Sequence, residues 1–262
     1  MEGTAVRGRL NALGGRPPRG AWQTATVDAV VDETPATRTL TLAVPDWAGH
    51  RAGQHLDVRL TGDDGYVAER SYSIASAPGE PVAITVERLD DGEVSPYLTQ
   101  DVQPGDEFEV RGPIGGYFVW DASGADGTVP LLLLAGGSGV VPLRAILRHR
   151  SRVGSSVPVR LLYSVRSLAE VIYRAELSVG WDDVEVIYTL TRQQPPGWTG
   201  YARRVDPAMM AEVAWPASAG ASPLAYVCGP TNFVEAVAAD LVALGYPPQR
   251  VKTERFGATG TP

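Results

Sequence analysis

At 262 residues the chain has room for two domains of ordinary size. With 44 % apolar and 20 % charged residues, its composition is that of a globular protein and excludes a disordered or fibrous one. A net charge of −7 excludes the basic footprint of a nucleic-acid-binding protein, and it leaves any anionic ligand to be held by local arginines and backbone amides.

In chain order, Met1 to Gly20 carries scattered arginines among glycines and prolines with no apolar stretch, the pattern of a flexible tail rather than a secretion signal. From Trp22 to about Val119 short runs alternate apolar and polar residues, as in Thr39–Leu42, His55–Leu60 and Glu107–Val110. Period two punctuated by Gly, Pro and Asp predicts antiparallel strands with one wet face, closed into a small barrel or sandwich.

Two motifs stand out in this half. Arg70-Ser71-Tyr72-Ser73 follows an alternating strand. Its arginine can clamp a pyrophosphate, its tyrosine can stack on a flat heterocycle, and its hydroxyls can hydrogen-bond a ring nitrogen. Taken singly, Tyr72 reads better as a core residue and Arg70 as a surface charge; together in four residues the signal is sharper. Further on, Gly92-Glu93-Val94-Ser95-Pro96 predicts a short helix with Ser95 as N-cap and Pro96 as first helical residue, its free amides suited to a phosphate. An ordinary capped helix would read the same way.

After an acidic, Gly-containing stretch at Asp121–Thr128 the pattern changes. Leu131–Ala135, Val159–Val165, Val184–Leu190 and Leu224–Cys228 are near-continuous apolar runs, as in strands buried on both faces of a parallel sheet. None is long enough to span a bilayer, so no membrane insertion is expected. Helical patterns at Leu143–Arg150, Leu168–Leu177 and Asn232–Leu244 separate most of them. Strand–helix alternation predicts a doubly wound α/β fold. The expected organisation is a tail over 1–20, an antiparallel β-barrel domain over 21–120 and an α/β parallel-sheet domain over 128–262.

The first buried strand opens into Gly136-Gly137-Ser138-Gly139-Val140-Val141-Pro142. Glycines at a strand–helix junction let backbone amides approach a pyrophosphate, and Pro142 suits the first helical turn. A plain tight turn would also use them. The last of the four runs ends in Cys228-Gly229, at the carboxyl end of a strand, where open α/β sheets bind ligands. Cys228 is the only cysteine, which excludes an intrachain disulfide and a cysteine-ligated iron–sulfur cluster. His50, His55 and His149 have no metal-ligand spacing, so no metal site is expected. Redox chemistry would need an organic cofactor.

These motifs in this order resemble the ferredoxin–NADP⁺ reductase superfamily, over roughly Ala21 to Gly257. In that family Arg70, Tyr72 and Ser73 match the flavin-binding arginine-x-tyrosine-serine motif, with Ser71 inside it. Gly92 and Ser95 match the pyrophosphate loop that also contains Val94. Gly137, Gly139, Pro142, Cys228 and Gly229 match the nicotinamide side, and Arg111–Gly115 resembles the segment ending the barrel. Glu254-Arg255-Phe256 is similar to the family's closing glutamate and flavin-covering aromatic, here with phenylalanine and a further tail, Gly257–Pro262.

The resemblance implies FAD as cofactor and hydride transfer from a nicotinamide nucleotide. Ser73, Cys228 and Glu254 are the implied catalytic positions, and Phe256 stacks on the flavin. Thr191-Arg192 with Gly200-Tyr201-Ala202-Arg203-Arg204, and Ser164-x-Arg166, resemble the cationic arrangement that holds the extra phosphate of NADPH. NADPH is therefore favoured, with NADH as the other choice. The implied partner is a separate electron carrier: a ferredoxin, a flavodoxin or an oxygenase component. Arg144, Arg148, His149, Arg150 and Arg152 form a local basic patch that could meet an acidic carrier, or simply the wet face of a helix. Other readings are a flavin reductase that releases reduced flavin and a non-catalytic flavin-bound subunit or sensor. The lone thiol and the absence of a signal point to the cytoplasm.

Overall fold

The computed structural model describes residues 20–217 and 222–256. The tail expected before residue 20 and the segment from Gly257 onward lie outside these.

Six antiparallel strands come first: β1 (Gln23–Thr34), β2 (Thr37–Ala43), β3 (His55–Thr61), β4 (Val67–Ser73), β5 (Val82–Glu87) and β6 (Glu107–Ile114). Their order is β4-β3-β6-β1-β2-β5. An Ile74–Ile84 bridge and an Ala75 N–H to Ala83 carbonyl bond of 2.7 Å close the end of β4 onto β5, so the sheet curls into a barrel. Alternation does the sorting: Ala25 and Val27, Leu40 and Leu42, Leu56 and Val58 all point inward into one core. The short helix α1 (Ser95–Gln100) plugs this core with Leu98.

The second half is a five-stranded parallel sheet made of β7 (Leu131–Gly136), β8 (Val159–Val165), β9 (Val184–Leu190), β10 (Leu224–Pro230) and β11 (Val251–Phe256). Strand order is β11-β10-β7-β8-β9, with α2 (Val140–Arg152), α3 (Arg174–Val179), α4 (Pro207–Val213) and α5 (Thr231–Ala243) between strands. The run of leucines in β7 is explained by two-sided burial. Leu131, Leu133 and Ala135 pack into one core and Leu132 and Leu134 into the other.

One expected helix is broken. Instead of a continuous helix over 168–177, a 3₁₀ turn at Leu168–Glu170 precedes α3, and Tyr173 between them has φ 59°. That left-handed backbone stops the helix and sends the ring into the barrel half, where the Tyr173 hydroxyl meets Thr85 Oγ1 at 2.5 Å. The Tyr173 N–H donates to Glu33 at 3.3 Å. Tertiary contact outweighs helical propensity here.

The basic patch expected on α2 is not a free surface. Arg144 is buried, donates to the Ala75 carbonyl (3.2 Å), pairs with Glu176 (2.7 Å) and lies over the Tyr173 ring. Arg148 bridges Glu80 of the barrel half and Glu176 of the sheet half. Arg150 donates to the carbonyls of Val157 and Asp182, His149 meets Trp120 edge-on, and Arg152 reaches Glu80. These cations are spent on internal contacts, several of them between the two halves, so they do not form a docking face. An apolar core containing Ala52, Ala75, Phe118 and Trp120 together with residues of β7, β8 and β10 continues the junction. An interface this apolar opposes relative motion of the halves.

Candidate functional site

Strand pleating divides the first motif. Arg70 and Tyr72 lie on the same side of β4 as buried Ala68, whereas Ser71 and Ser73 lie on the other. Tyr72 packs on the barrel core and burial lifts its phenol far above the ordinary range. The Ser71 hydroxyl donates to Asp57 (2.6 Å), whose other oxygen takes Arg111 (2.6 Å). Ser73 faces His55 across the β3–β4 ladder. Burial lowers the pKa of His55 against the pull of Asp57.

Arg70 remains half-exposed and reaches Glu93 at 2.5 Å. Glu93 is put there by its loop. The Leu89 N–H donates to Ser95 Oγ (3.0 Å) and the Gly92 N–H to the Leu89 carbonyl (2.9 Å). A Cβ on Gly92 would lie 2.8 Å from Ser95 Oγ, so the turn is too tight for a side chain. This corrects the expected cap. Ser95 is the first helical residue, buried Val94 holds the N-cap position without a side-chain bond, and the serine hydroxyl is used backward to cinch the loop.

The second glycine cluster forms a cradle. Gly137 has φ +54° and leads into Gly139, the N-cap of α2, which has no side-chain cap. A Cβ on Gly139 would lie 2.1 Å from the Cys228 carbonyl oxygen, so only glycine lets the loop rest on Cys228-Gly229. The helix starts at Val140, earlier than its apolar pattern suggested, and Pro142 falls within its first turn where no N–H is required.

Cys228 is fully buried, and its thiol is pushed up by burial and by nearby Glu254. In the β10–β11 register Cys228 pairs with Glu254 and Pro230 with Phe256. Burial raises Glu254 to about 7, and its Oε2 is enclosed without a hydrogen-bond partner. Phe256 is half-buried against the core that joins the halves.

At the carboxyl ends of β8 and β9 the backbone ties two arginines together. The N–H groups of Arg192 and Gln193 donate to the Arg166 carbonyl (3.0 and 2.9 Å), and the Thr191 N–H to Val165 (2.9 Å). Ser164 sits beside Gly136 in the β7–β8 register and beside Thr189 in the β8–β9 register. Arg166, Arg192 and Arg204 are exposed and have no carboxylate partner among the described residues. Arg203, expected to serve with them, is paired with Asp206 at 2.6 Å.

The two halves meet where these motifs end. Arg144 of α2 holds Ala75, two residues beyond Ser73, and a Cβ added to Gly137 would lie 3.8 Å from the carboxylate of Glu87 at the end of β5. A Gly-rich cradle, an orphaned buried carboxyl and a half-exposed arginine fit a dinucleotide and a flavin rather than a metal. No cluster of three or more metal-ligating side chains exists among the described residues. The sequence reading missed Glu93, His55 and Tyr173. Only His55 left a signal, its place in an alternating strand, and that signal required the strand partner.

The two halves of the fold are each matched by a family model. The oxidoreductase FAD-binding domain family matches residues 24–119, and the oxidoreductase NAD-binding domain family matches residues 133–239. The chain belongs to the ferredoxin–NADP⁺ reductase superfamily. Ferredoxin–NADP reductase B of Sorangium cellulosum is 35 % identical over 78 % of this chain and 84 % of its own length. The glycine betaine monooxygenase reductase subunit of Chromohalobacter salexigens is 32 % identical over 80 % of this chain and 56 % of its own length. The chain thus spans little more than half of some curated relatives it matches. Among solved structures, the FAD/NAD-binding domain of nitric oxide dioxygenase from Vibrio cholerae superimposes with a TM-score of 0.79 at 24 % identity, over 91 % of this chain and 100 % of that one. That likeness concerns the fold.

Proposed function

We propose that the protein takes reducing equivalents from NADPH, with NADH as the weaker donor, onto FAD held by the barrel half, and passes them to a separate electron carrier. Bound FAD supplies the ring that accepts hydride and gives up electrons singly. The chain supplies binding and alignment. Arg70 neutralises the flavin diphosphate within the loop of Gly92, Val94 and Ser95. Tyr72 and Phe256 offer flat faces to the ring, and the Ser73 hydroxyl offers a hydrogen bond to its edge, with Ser71 contributing backbone only. Gly137, Gly139 and Pro142 open room for the nicotinamide nucleotide above Cys228-Gly229. Glu254 holds a proton near neutral pH beside that place. Ser164, Arg166, Thr191 and Arg192 would receive the far phosphate of NADPH, and the exposure of Arg166 and Arg192 without carboxylate partners among the described residues supports that choice over NADH.

The observation that carries this reading is the junction itself. The glycine cradle of the sheet rests against β5, and Arg144 ties the end of the Arg70–Ser73 strand to the helix leaving the cradle. We place the domain division at 21–120 and 128–262. The carrier is a ferredoxin, a flavodoxin or an oxygenase component, in line with the Chromohalobacter relative, a monooxygenase reductase subunit. No described helix is long and apolar enough to cross a membrane, and the lone buried thiol accords with the cytoplasm. The test is a panel of purified ferredoxins, flavodoxins and oxygenase components incubated with the holoprotein and NADPH. Reduction of one or more faster than that of free FAD supports the reading, and reduction of free FAD alone replaces the carrier by free flavin.

A further inference from the structure

We propose that Glu93 is a built-in competitor of the FAD diphosphate, occupying the Arg70 guanidinium when flavin is absent and weakening the hold on FAD when it is present. The inference rests on the reading of Arg70 as the diphosphate clamp.

Glu93 is held from two directions. Arg70 Nη2 donates to Glu93 Oε2 at 2.5 Å, and the Tyr66 hydroxyl donates to Glu93 Oε1 at 2.6 Å. Tyr66 ends the β3–β4 connection and Arg70 lies at the middle of β4, so the start and the centre of one strand converge on the carboxylate. The loop tie between Ser95 and Leu89 and the glycine at 92 deliver it. Both partners of the ion pair are about half-exposed, at 50 % and 46 %, so an incoming anion can reach the guanidinium without unfolding anything. Arg70 has one further bond, from Nη1 to the Glu69 carbonyl. Its Nη2, which either bidentate edge of the guanidinium would use, is therefore engaged by a carboxylate carried by the very loop assigned to the diphosphate.

A guanidinium cannot bind a carboxylate and a diphosphate bidentately with the same edge. FAD must displace Glu93, and the freed carboxylate stays on a short tether close to a like charge. The pair is solvent-facing, so the competition is modest and tunes flavin residence rather than abolishing binding.

The test is the rate of FAD release from the holoprotein on dilution, read as the recovery of free-flavin fluorescence. Glu93→Gln keeps shape and removes charge, and it should slow release by roughly two- to five-fold. Tyr66→Phe removes one of the two holds on Glu93 and should slow release in the same direction by less. Arg70→Ala in parallel tests the underlying reading and should purify with little FAD. Unchanged or faster release in Glu93→Gln, with flavin lost in Arg70→Ala, overturns the competitor and leaves the clamp standing. Full flavin content in Arg70→Ala overturns both.

Discussion

The peptide carbonyl of Cys228 occupies the space a side chain on Gly139 would need: a Cβ there would approach its oxygen to 2.1 Å. The contact is backbone against backbone, so neither partner can yield by rotating a side chain. It joins the start of α2 to the end of β10 and sets the floor of the glycine cradle.

Gly139→Ala should therefore disturb the nicotinamide side alone. The expected result is a loss of roughly 1–3 kcal/mol in stability from forced overpacking. The Michaelis constant for the nucleotide should rise several-fold while FAD content stays at the level of the parent. Thermal melts, flavin absorbance and steady-state kinetics measured on the same preparation check this.

The Glu254 carboxyl, enclosed with one oxygen unpaired, titrates near 7 because burial disfavours its charge. The folded protein keeps this proton to about pH 7, whereas the unfolded chain releases it in the ordinary carboxylate range. Between those limits the folded state binds more protons, so stability from this group falls as pH rises and levels off above about 7. Glu254→Gln stays neutral and should lose that slope, ending more stable than the parent above neutrality by roughly 1–3 kcal/mol. Denaturant titrations at a series of pH values measure it.

Arg144 is buried between the halves, where it serves Ala75, Glu176 and the Tyr173 ring together. Arg144→Met retains much of the stem but removes the charge and both hydrogen-bonding contacts. Glu176 keeps Arg148 as a partner, so the cost should be about 2–4 kcal/mol, below that of leaving a buried charge alone. Calorimetry should show the loss, and flavin reduction by NADPH should slow because the two halves are held less firmly.

Much of this architecture is legible in the amino-acid sequence. Val159–Val165 and Val184–Leu190 are β8 and β9 residue for residue; β8 is a near-continuous apolar run inside the sheet, and β9 keeps enough of that pattern to be recognised although it lies at the edge and exposes Glu185. Thr39–Leu42, His55–Leu60 and Glu107–Val110 fall inside β2, β3 and β6 for the complementary reason, one wet face. What escaped was set by long-range contact. The break at Tyr173 is decided by Thr85, 88 residues away, and no local pattern encodes it. Strand β11 escaped because Lys252, Glu254 and Arg255 interrupt its apolar pattern at the sheet edge. At the site, the glycine cradle was visible because glycine marks close backbone approach. The Arg70–Glu93 pair was not, because two charges 23 residues apart meet only through the curvature of the loop that Ser95 closes.

In the proposed function the choice of nucleotide is assigned to Arg166 and Arg192, joined through one backbone carbonyl and exposed without carboxylate partners among the described residues. Arg192→Ala should lower kcat/KM for NADPH by roughly ten-fold or more, the scale of a lost charge-assisted contact. The value for NADH should change little. Equal losses for both nucleotides would assign Arg192 to a shared part of the nucleotide.

The most direct test of the whole account is anaerobic stopped-flow mixing of the FAD-loaded protein with NADPH and, separately, NADH. The account predicts that the yellow absorbance of bound flavin bleaches with both, faster with NADPH, while the flavin stays with the protein through the reaction. If neither nucleotide bleaches the bound flavin, the junction of barrel and sheet is not a site of hydride transfer.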